Sequence, residues 1–69
     1  MRREAVTSSN IDSAGYDPSS STLEIEFKDG RVYQYFDVPR SVFDGLLRAA
    51  SVGQYFHREI RGVFRYSRV

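Results

Sequence analysis

The stretch TLEIEFKDGRVYQYF, residues 22–36, decides the fold because it contains two β-strands and the turn that joins them. In TLEIEF the apolar residues alternate with charged ones, which is the period of a strand with one buried face. The dipeptide Asp29-Gly30 favours chain reversal, and RVYQYF is rich in β-branched and aromatic residues. We therefore predict a β-hairpin, for which the sequence carries its strongest structural signal.

The length of the hairpin loop determines which face of the sheet receives Tyr33 and Tyr35. A two-residue type I′ turn places both rings on the outer face of the sheet. A three-residue loop over residues 28–30, with Gly30 as a G1 bulge, pairs Ile25 with Tyr33 and turns both rings towards the core. The two registers differ by one residue and exchange every side chain between the faces.

Gln34 favours the register with the inward tyrosines. The other register places its amide on the apolar face, where an unpaired buried amide costs roughly 1–3 kcal/mol. The inward register in turn exposes Val32 and part of Phe36 on the outer face. A tyrosine tolerates the edge of a core, because its ring can be buried while its hydroxyl reaches water.

The segments on either side of the hairpin carry weaker signals. Residues 10–16, NIDSAGY, have strand character, and Gly15 indicates a bulge or a close backbone approach. DPSSST at 17–22 is rich in turn-forming residues. We expect residues 1–5 to be frayed. The tail VFRYSRV, residues 63–69, either forms a short final strand or docks as an extended segment, and we favour the docked segment.

After Pro39 the apolar period becomes helical, and residues 41–51 are predicted to form a first short helix. Ser41 and Asp44 make an approximate capping signature, and Gly45 falls on the polar side of this helix. The apolar residues at helical spacing are Val42, Phe43, Leu46 and Leu47.

Residues 51–62, SVGQYFHREIRG, are predicted to form a second short helix. Ser51 and Gln54 fit the S-x-x-Q capping box, and Gly62 is a plausible C-terminal stop. The apolar stripe of this helix consists of Val52, Tyr55, Phe56 and Ile60.

These elements predict an α+β fold for a single small domain over residues 1–69. We expect a three-stranded antiparallel meander, followed by two short helices packed on one sheet face and by a short extended C-terminal segment. The helices must cover one face, because a lone sheet would leave its apolar side chains in water. The five tyrosines and five phenylalanines suit so small a core, since each ring buries a large area.

The composition argues against most catalytic and metal sites. The chain has no cysteine, which excludes disulfides, thiolate zinc sites and thiol nucleophiles. His57 is the only histidine, and Glu59 would point elsewhere on a helix. Glu24 and Glu26 lie beside Lys28 and suit a solvated polar face better than acid–base catalysis. We predict no enzyme activity and no catalytic, cofactor-binding or metal site.

The apolar runs are short, and the N-terminal residues lack the apolar region of a signal peptide. We therefore expect a cytoplasmic protein that does not bind to membranes.

Basic residues are concentrated in the second part of the chain. Residues 1–39 hold four basic and seven acidic side chains, whereas residues 40–69 hold six basic and two acidic ones. Arginine contacts to phosphate combined with aromatic stacking are typical of single-stranded nucleic-acid binding. The alternative is a solvated face on which arginine stems pack over aromatic rings. The arginines near the end of the chain are Arg58, Arg61, Arg65 and Arg68, interleaved with Phe64 and Tyr66.

Two stretches, GYDPSSSTLEIEFKDGRVYQYFDVP at 15–39 and LLRAASVGQYFHREIRGVFRY at 46–66, resemble the KTSC domain family. The family's Y-x-Y looks like residues 33–35, its V-P like Val38-Pro39, and its A-x-S-x-G like residues 49–53. The family is named after a module at the C-terminus of some lysyl-tRNA synthetases and also occurs as small stand-alone bacterial proteins. The resemblance implies an RNA-binding role through that attachment.

Two functions remain as hypotheses. The first is a nucleic-acid-binding accessory module, with single-stranded or structured RNA as its partner. The second is a protein–protein interaction module that acts through an exposed strand edge or through the apolar sheet patch of Val32 and Phe36. In the first hypothesis Arg58, Arg61, Arg65 and Arg68 neutralise phosphates, and Tyr33, Tyr35 and Tyr66 stack on bases.

Overall fold

The hairpin lies at the centre of a five-stranded antiparallel sheet in the computed structural model of the protein, which describes residues 2–69. The strands follow one another in the sheet in the order of the chain. The predicted α+β class is confirmed. The strands are β1 (Arg3–Ala5), β2 (Ile11–Asp17), β3 (Thr22–Phe27), β4 (Val32–Tyr35) and β5 (Tyr66–Arg68), and the helices α1 (Arg40–Arg48) and α2 (Val52–Glu59) connect β4 to β5.

The sheet has two more strands than the predicted meander, one at each edge. Residues 1–5 are expected to be frayed, but Arg3–Ala5 pair with β2, while Met1 lies outside the described residues. The tail also differs from the prediction, because Tyr66–Arg68 pair with β4 instead of only docking against it. Residues 63–65 precede this strand. Both edge strands have three residues, which is too short for an alternating pattern to reveal them.

The hairpin uses the three-residue loop. The N–H of Phe27 donates to the carbonyl of Arg31 at 2.8 Å, and the N–H of Gly30 donates back to the carbonyl of Phe27 at 2.9 Å. Gly30 has a φ of +95°, a conformation that glycine adopts without steric cost. The loop therefore fixes the register that turns the tyrosines inward.

The two faces of the hairpin follow from this register. Ile25 lies opposite Tyr33 and Leu23 lies opposite Tyr35, so both tyrosines share the face that the helices cover. Gln34 lies on the outer face, where its amide donates to Glu24 at 2.9 Å. The preference for inward tyrosines, argued from Gln34, is confirmed.

Gly15 marks a close approach between two backbones, as predicted. It lies opposite Arg3 in the pairing of β1 with β2. A Cβ atom at this position would lie 2.6 Å from the carbonyl oxygen of Arg2, closer than backbone and side chain can pack. Glycine at position 15 therefore allows β1 to join the sheet.

The first helix differs from the prediction in its start and in its packing. Pro39 is the N-cap and Ser41 already lies inside the helix, so the Ser41 capping signature is wrong. Asp44 instead pairs with Arg40 across one turn at 3.6 Å. Gly45 does not face solvent, because the hydroxyl of Tyr55 occupies the position that a Cβ would take. Leu47 and Val42 also pack less deeply than predicted, and Leu47 is 37% exposed.

The second helix follows the prediction closely. The hydroxyl of Ser51 caps it by accepting from the N–H of Gln54 at 3.3 Å. Gly62, with a φ of +75°, lies in the turn after the helix. Val52, Phe56 and Ile60 are buried in the core, and Tyr55 is half-buried.

The core fills the space between the sheet and the two helices. Burial of each large apolar side chain contributes about 1.5–3 kcal/mol to folding. Between residues 2 and 69, neither helix has both the length and the apolar composition that a membrane crossing needs. The largest fully buried side chains are Ile11, Leu23, Ile25, Val38, Leu46 and Ile60.

Candidate functional site

Five aromatic rings form a closed cycle of contacts on the helix-covered face of the sheet, near the β3–β4 hairpin. Each ring contacts the next at a centroid distance of 5.6–5.8 Å, in edge-to-face or tilted arrangements. Such pairs are favourable beyond the area that they bury. We call this set the aromatic cluster; it consists, in order around the cycle, of Phe27, Tyr33, Tyr66, Tyr35 and Phe56.

The aromatic cluster lines an open groove of about 660 Å³, which we call the aromatic groove. This volume lies within the range of small-ligand pockets, about 300–1,000 Å³. Lys28, Arg31 and Arg61 line the groove together with a single carboxylate, that of Asp29. The groove thus combines aromatic surface with an excess of positive charge.

Lys28 and Arg31 reach the groove because Lys28 begins the hairpin loop and Arg31 follows it directly. Arg31 lies over the ring of Phe27 with its guanidinium carbon 5.7 Å from the centroid. It also pairs with Asp29 at 2.7 Å. The backbone N–H of Arg31 and then its positive charge lower the pKa of the Asp29 carboxyl, so this carboxylate stays ionised and holds the loop.

Four of the seven residues predicted to bind nucleic acid meet in the groove. Tyr33, Tyr35 and Tyr66 contribute rings, and Arg61 contributes a cation from the turn that follows α2. Tyr66 is 60% exposed, whereas Tyr35 is only 5% exposed. Tyr66 therefore presents the accessible ring and Tyr35 forms part of the floor.

The other three predicted arginines do not line the groove. Arg58 lies over the ring of Tyr55 and pairs with Glu59 at 2.9 Å. Arg65 lies over the ring of Phe36 and pairs with Asp37 at 2.8 Å. Arg58 and Arg65 therefore pack over aromatic rings on a solvated face, which is the alternative to nucleic-acid binding that the sequence left open. Arg68 pairs with Tyr33 in the sheet, and its positive charge adds to the lowering of the pKa of the Asp29 carboxyl by Arg31.

Lys28 and Arg31 were not predicted as site residues from the sequence. For Arg31, the alternation of residues along the second hairpin strand could have indicated it. Arg31, Tyr33 and Tyr35 alternate along the second hairpin strand and therefore share a face. Once the inward register is chosen, Arg31 belongs beside the tyrosines. Phe27 and Phe56 are predicted as apolar packing residues, and they serve both as packing and as groove lining.

Tyr35 lines the groove but is largely buried there. Burial, aided by the neighbouring hydroxyls of Tyr33 and Tyr66, raises the pKa of Tyr35 to about 12, while Arg61 opposes this shift. The hydroxyl therefore stays protonated at neutral pH and can donate a hydrogen bond into the groove. Among residues 2–69 no side-chain or backbone group forms a hydrogen bond with it.

The raised pKa of Tyr35 predicts a loss of stability at high pH. The unfolded chain releases this proton near pH 10 and the folded protein only near pH 12. Below pH 10 this hydroxyl does not change the free energy of unfolding, and between pH 10 and 12 the free energy falls because the unfolded state binds fewer protons. Urea unfolding across this range is expected to show a steeper fall for the wild type than for Tyr35→Phe. Equal slopes for the two proteins would contradict the burial of this hydroxyl.

The outer face of the sheet is a polar, ion-paired surface. Arg3 contacts Glu24 at 3.2 Å and Glu26 at 2.6 Å, and Gln34 donates to Glu24. One arginine thus offsets part of the negative charge of the two glutamates. This arrangement is typical of a solvated face and gives no sign of acid–base chemistry.

The structure offers less apolar surface and less free strand edge than the protein-interaction hypothesis assumes. Val32 and Phe36 are half-buried, with the hydrogen-bonded Gln34 between them, and Arg65 covers the ring of Phe36. The free edge predicted for the hairpin is occupied by β5. The remaining edges belong to β1 and β5, and very short edge strands are a common protection against unwanted pairing.

His57 lies at the margin of the groove without the neighbours that a catalytic histidine requires. Its imidazole lies edge-to-face on the ring of Phe56, with 6.0 Å between the centroids, and its Nδ1 lies 3.4 Å from Nη1 of Arg61. Glu59 pairs with Arg58 instead of orienting the imidazole. Over residues 2–69 the structure contains no cluster of three or more metal-ligating side chains. Nothing in this arrangement points to catalysis.

The family model described as the KTSC domain matches residues 7–64. The lysine–tRNA ligase of Nostoc sp. strain PCC 7120 is 46% identical over 54 residues, which are 78% of this chain and 10% of the ligase. A protein of Stutzerimonas stutzeri strain A1501 is 41% identical over 70 residues, covering 100% of this chain and 99% of that protein. The chain thus spans about a tenth of the ligase but nearly the whole of the small relative.

The similarity extends to a solved structure. The crystal structure of a KTSC domain protein from Yersinia pestis has a TM-score of 0.93 at 39% identity. The match covers 99% of this chain and 96% of that chain. At this identity the likeness reflects common ancestry as well as a common fold.

Proposed function

This chain belongs to the KTSC domain family, and from that premise we propose that it is a non-enzymatic accessory module that binds single-stranded RNA in the aromatic groove. The observation that carries the proposal is the meeting of exposed aromatic surface with three cations in one concave site. Base stacking on aromatic rings and phosphate neutralisation by cations are the two general means of holding a single strand. A lysine–tRNA ligase, an enzyme named for its RNA substrate, contains a homologous segment, which supports the same choice.

The charge of the groove favours an anionic ligand over a cationic one. Aromatic rings can also hold a cation through their negative faces. Here Lys28, Arg31 and Arg61 surround the rings with only Asp29 to balance them, so a second cation would be repelled. A ligand that carries both a flat ring and a negative charge suits both features of the groove. A nucleotide of a single-stranded RNA meets this description.

The proposal is tested by titrating the protein with a short single-stranded RNA at several salt concentrations. Each neutralised phosphate contributes about −0.7 to the slope of log K against log salt. Because Asp29 offsets one of the three cations, the groove can neutralise two phosphates, and we predict a slope of roughly −1.4. We expect Arg61→Ala to weaken binding about tenfold and to make the slope shallower by about 0.7. No binding at low salt would reject the proposal.

Arg58→Ala is the matched control for Arg61→Ala. Both substitutions remove one positive charge from the end of the second helix and its following turn, but only Arg61 lines the groove. We expect Arg58→Ala to leave the affinity for RNA unchanged. Equal weakening by the two substitutions would indicate general electrostatic attraction and would exclude the groove as the site.

A further inference from the structure

The cations of the aromatic groove form two groups that lie apart along the second hairpin strand. The first group consists of Lys28, which begins the hairpin loop, and Arg31, which follows the loop and lies over Phe27. The second is Arg61 alone, in the turn that follows α2, and its charge acts on the hydroxyl of Tyr35. Arg31 and Tyr35 are four residues apart along the second hairpin strand, which corresponds to about 13 Å between their Cα atoms.

The surface between these two groups offers one accessible ring. Tyr66 is 60% exposed, whereas Tyr35 and Phe56 are 5% and 4% exposed and pack edge-to-face against each other. Tyr33 is half-buried and contacts both Phe27 and Tyr66. A single exposed ring supports stacking by one base.

We infer that the groove holds one nucleotide of the RNA with a phosphate at each end, so that a nucleoside 3′,5′-bisphosphate is the smallest ligand that fills it. This inference rests on the proposed function and assigns a position to each part of the nucleotide. The base stacks on Tyr66, one phosphate binds to Lys28 and Arg31, and the other binds to Arg61. The protonated hydroxyl of Tyr35 lies in the floor between them and donates to the sugar or base.

The inference is tested by measuring the affinities of four ligands by calorimetry at low salt. The ligands are a nucleoside 3′,5′-bisphosphate, the corresponding 5′-monophosphate, the 3′-monophosphate, and a tetranucleotide of the same base. A charge-assisted contact to a second phosphate is expected to make the bisphosphate bind about tenfold more tightly than either monophosphate. The tetranucleotide is expected to bind only slightly more tightly than the bisphosphate, because its other nucleotides lie outside the groove.

Substitutions connect each phosphate to one group of cations. Arg61→Ala and the double substitution Lys28→Ala with Arg31→Ala are each expected to reduce the affinity for the bisphosphate to that of a monophosphate. Arg65→Ala is the control, because this arginine pairs with Asp37 away from the groove and is expected to change nothing. A bisphosphate preference that survives both groove substitutions would overturn the assignment of the phosphates.

The outcomes separate this inference from the proposed function. A tetranucleotide that binds while the bisphosphate binds no better than a monophosphate would overturn the one-nucleotide site but leave RNA binding in place. Tight binding of the bisphosphate without binding of the tetranucleotide would contradict RNA binding and support the two-phosphate geometry. Absence of binding by all four ligands would overturn both.

Discussion

Replacement of Phe56 by alanine is expected to remove most of the stability of the protein. Phe56 is 4% exposed and contacts Phe27 and Tyr35 at 5.6 and 5.7 Å between ring centroids, so it joins α2 to the sheet. Truncation of a buried phenylalanine costs about 3–5 kcal/mol. A domain of 69 residues has a total stability of roughly 3–10 kcal/mol. Urea unfolding followed by circular dichroism is expected to show a large fall in the midpoint or a chain that is already unfolded without urea.

Phe36→Ala provides the matched control for this substitution. Phe36 is half-buried, lies under Arg65 and does not pack against the buried core. The same change of side chain is expected to cost about 1 kcal/mol here, because little apolar area leaves water on folding. Similar losses for the two substitutions would contradict the view that the aromatic cluster is part of the core.

Replacement of Tyr66 by alanine is expected to have the largest effect on RNA binding with little effect on folding. Tyr66 lies on an edge strand and presents the most exposed ring of the groove. Stacking of a base on an aromatic ring contributes about 1–3 kcal/mol, so the affinity is expected to fall roughly 5- to 150-fold. The affinity is measured by titration with a short RNA, and the unfolding midpoint shows that the variant remains folded.

Tyr66→Phe distinguishes the ring from the hydroxyl. It keeps the stacking surface and is expected to bind RNA almost as well as the wild type. If Tyr66→Phe loses as much affinity as Tyr66→Ala, the contribution comes from the hydroxyl and stacking is excluded. If Tyr66→Ala binds like the wild type, the exposed ring takes no part in binding.

The central part of the fold could be predicted because local and tertiary signals agree there. Alternation in residues 22–27, the Asp-Gly loop and the polarity of Gln34 all favour the hairpin register that the structure has. Ser51 and the apolar stripe likewise define α2. The edge strands β1 and β5 could not be predicted, because three residues carry no period and their position depends on pairing with a distant strand.

Gly45 and the arginines show where sequence patterns are insufficient. On an isolated helix Gly45 falls on the polar side, but the packing of α2 brings Tyr55 over it. Arg58, Arg61 and Arg65 look equivalent in the sequence. Only the turn after α2 places Arg61 in the groove, while Arg58 and Arg65 have their own carboxylate partners. The side of the molecule to which an arginine points is decided by tertiary packing.

The central claim is that RNA occupies the aromatic groove, and nuclear Overhauser effects in a complex with a short single-stranded RNA test it most directly. We predict contacts between base protons and the ring protons of Tyr66 and Tyr33, together with shifts of the Arg61 and Arg31 side-chain signals. Contacts from the RNA to Val32 and Phe36 on the outer face, with unchanged groove signals, would contradict the claim.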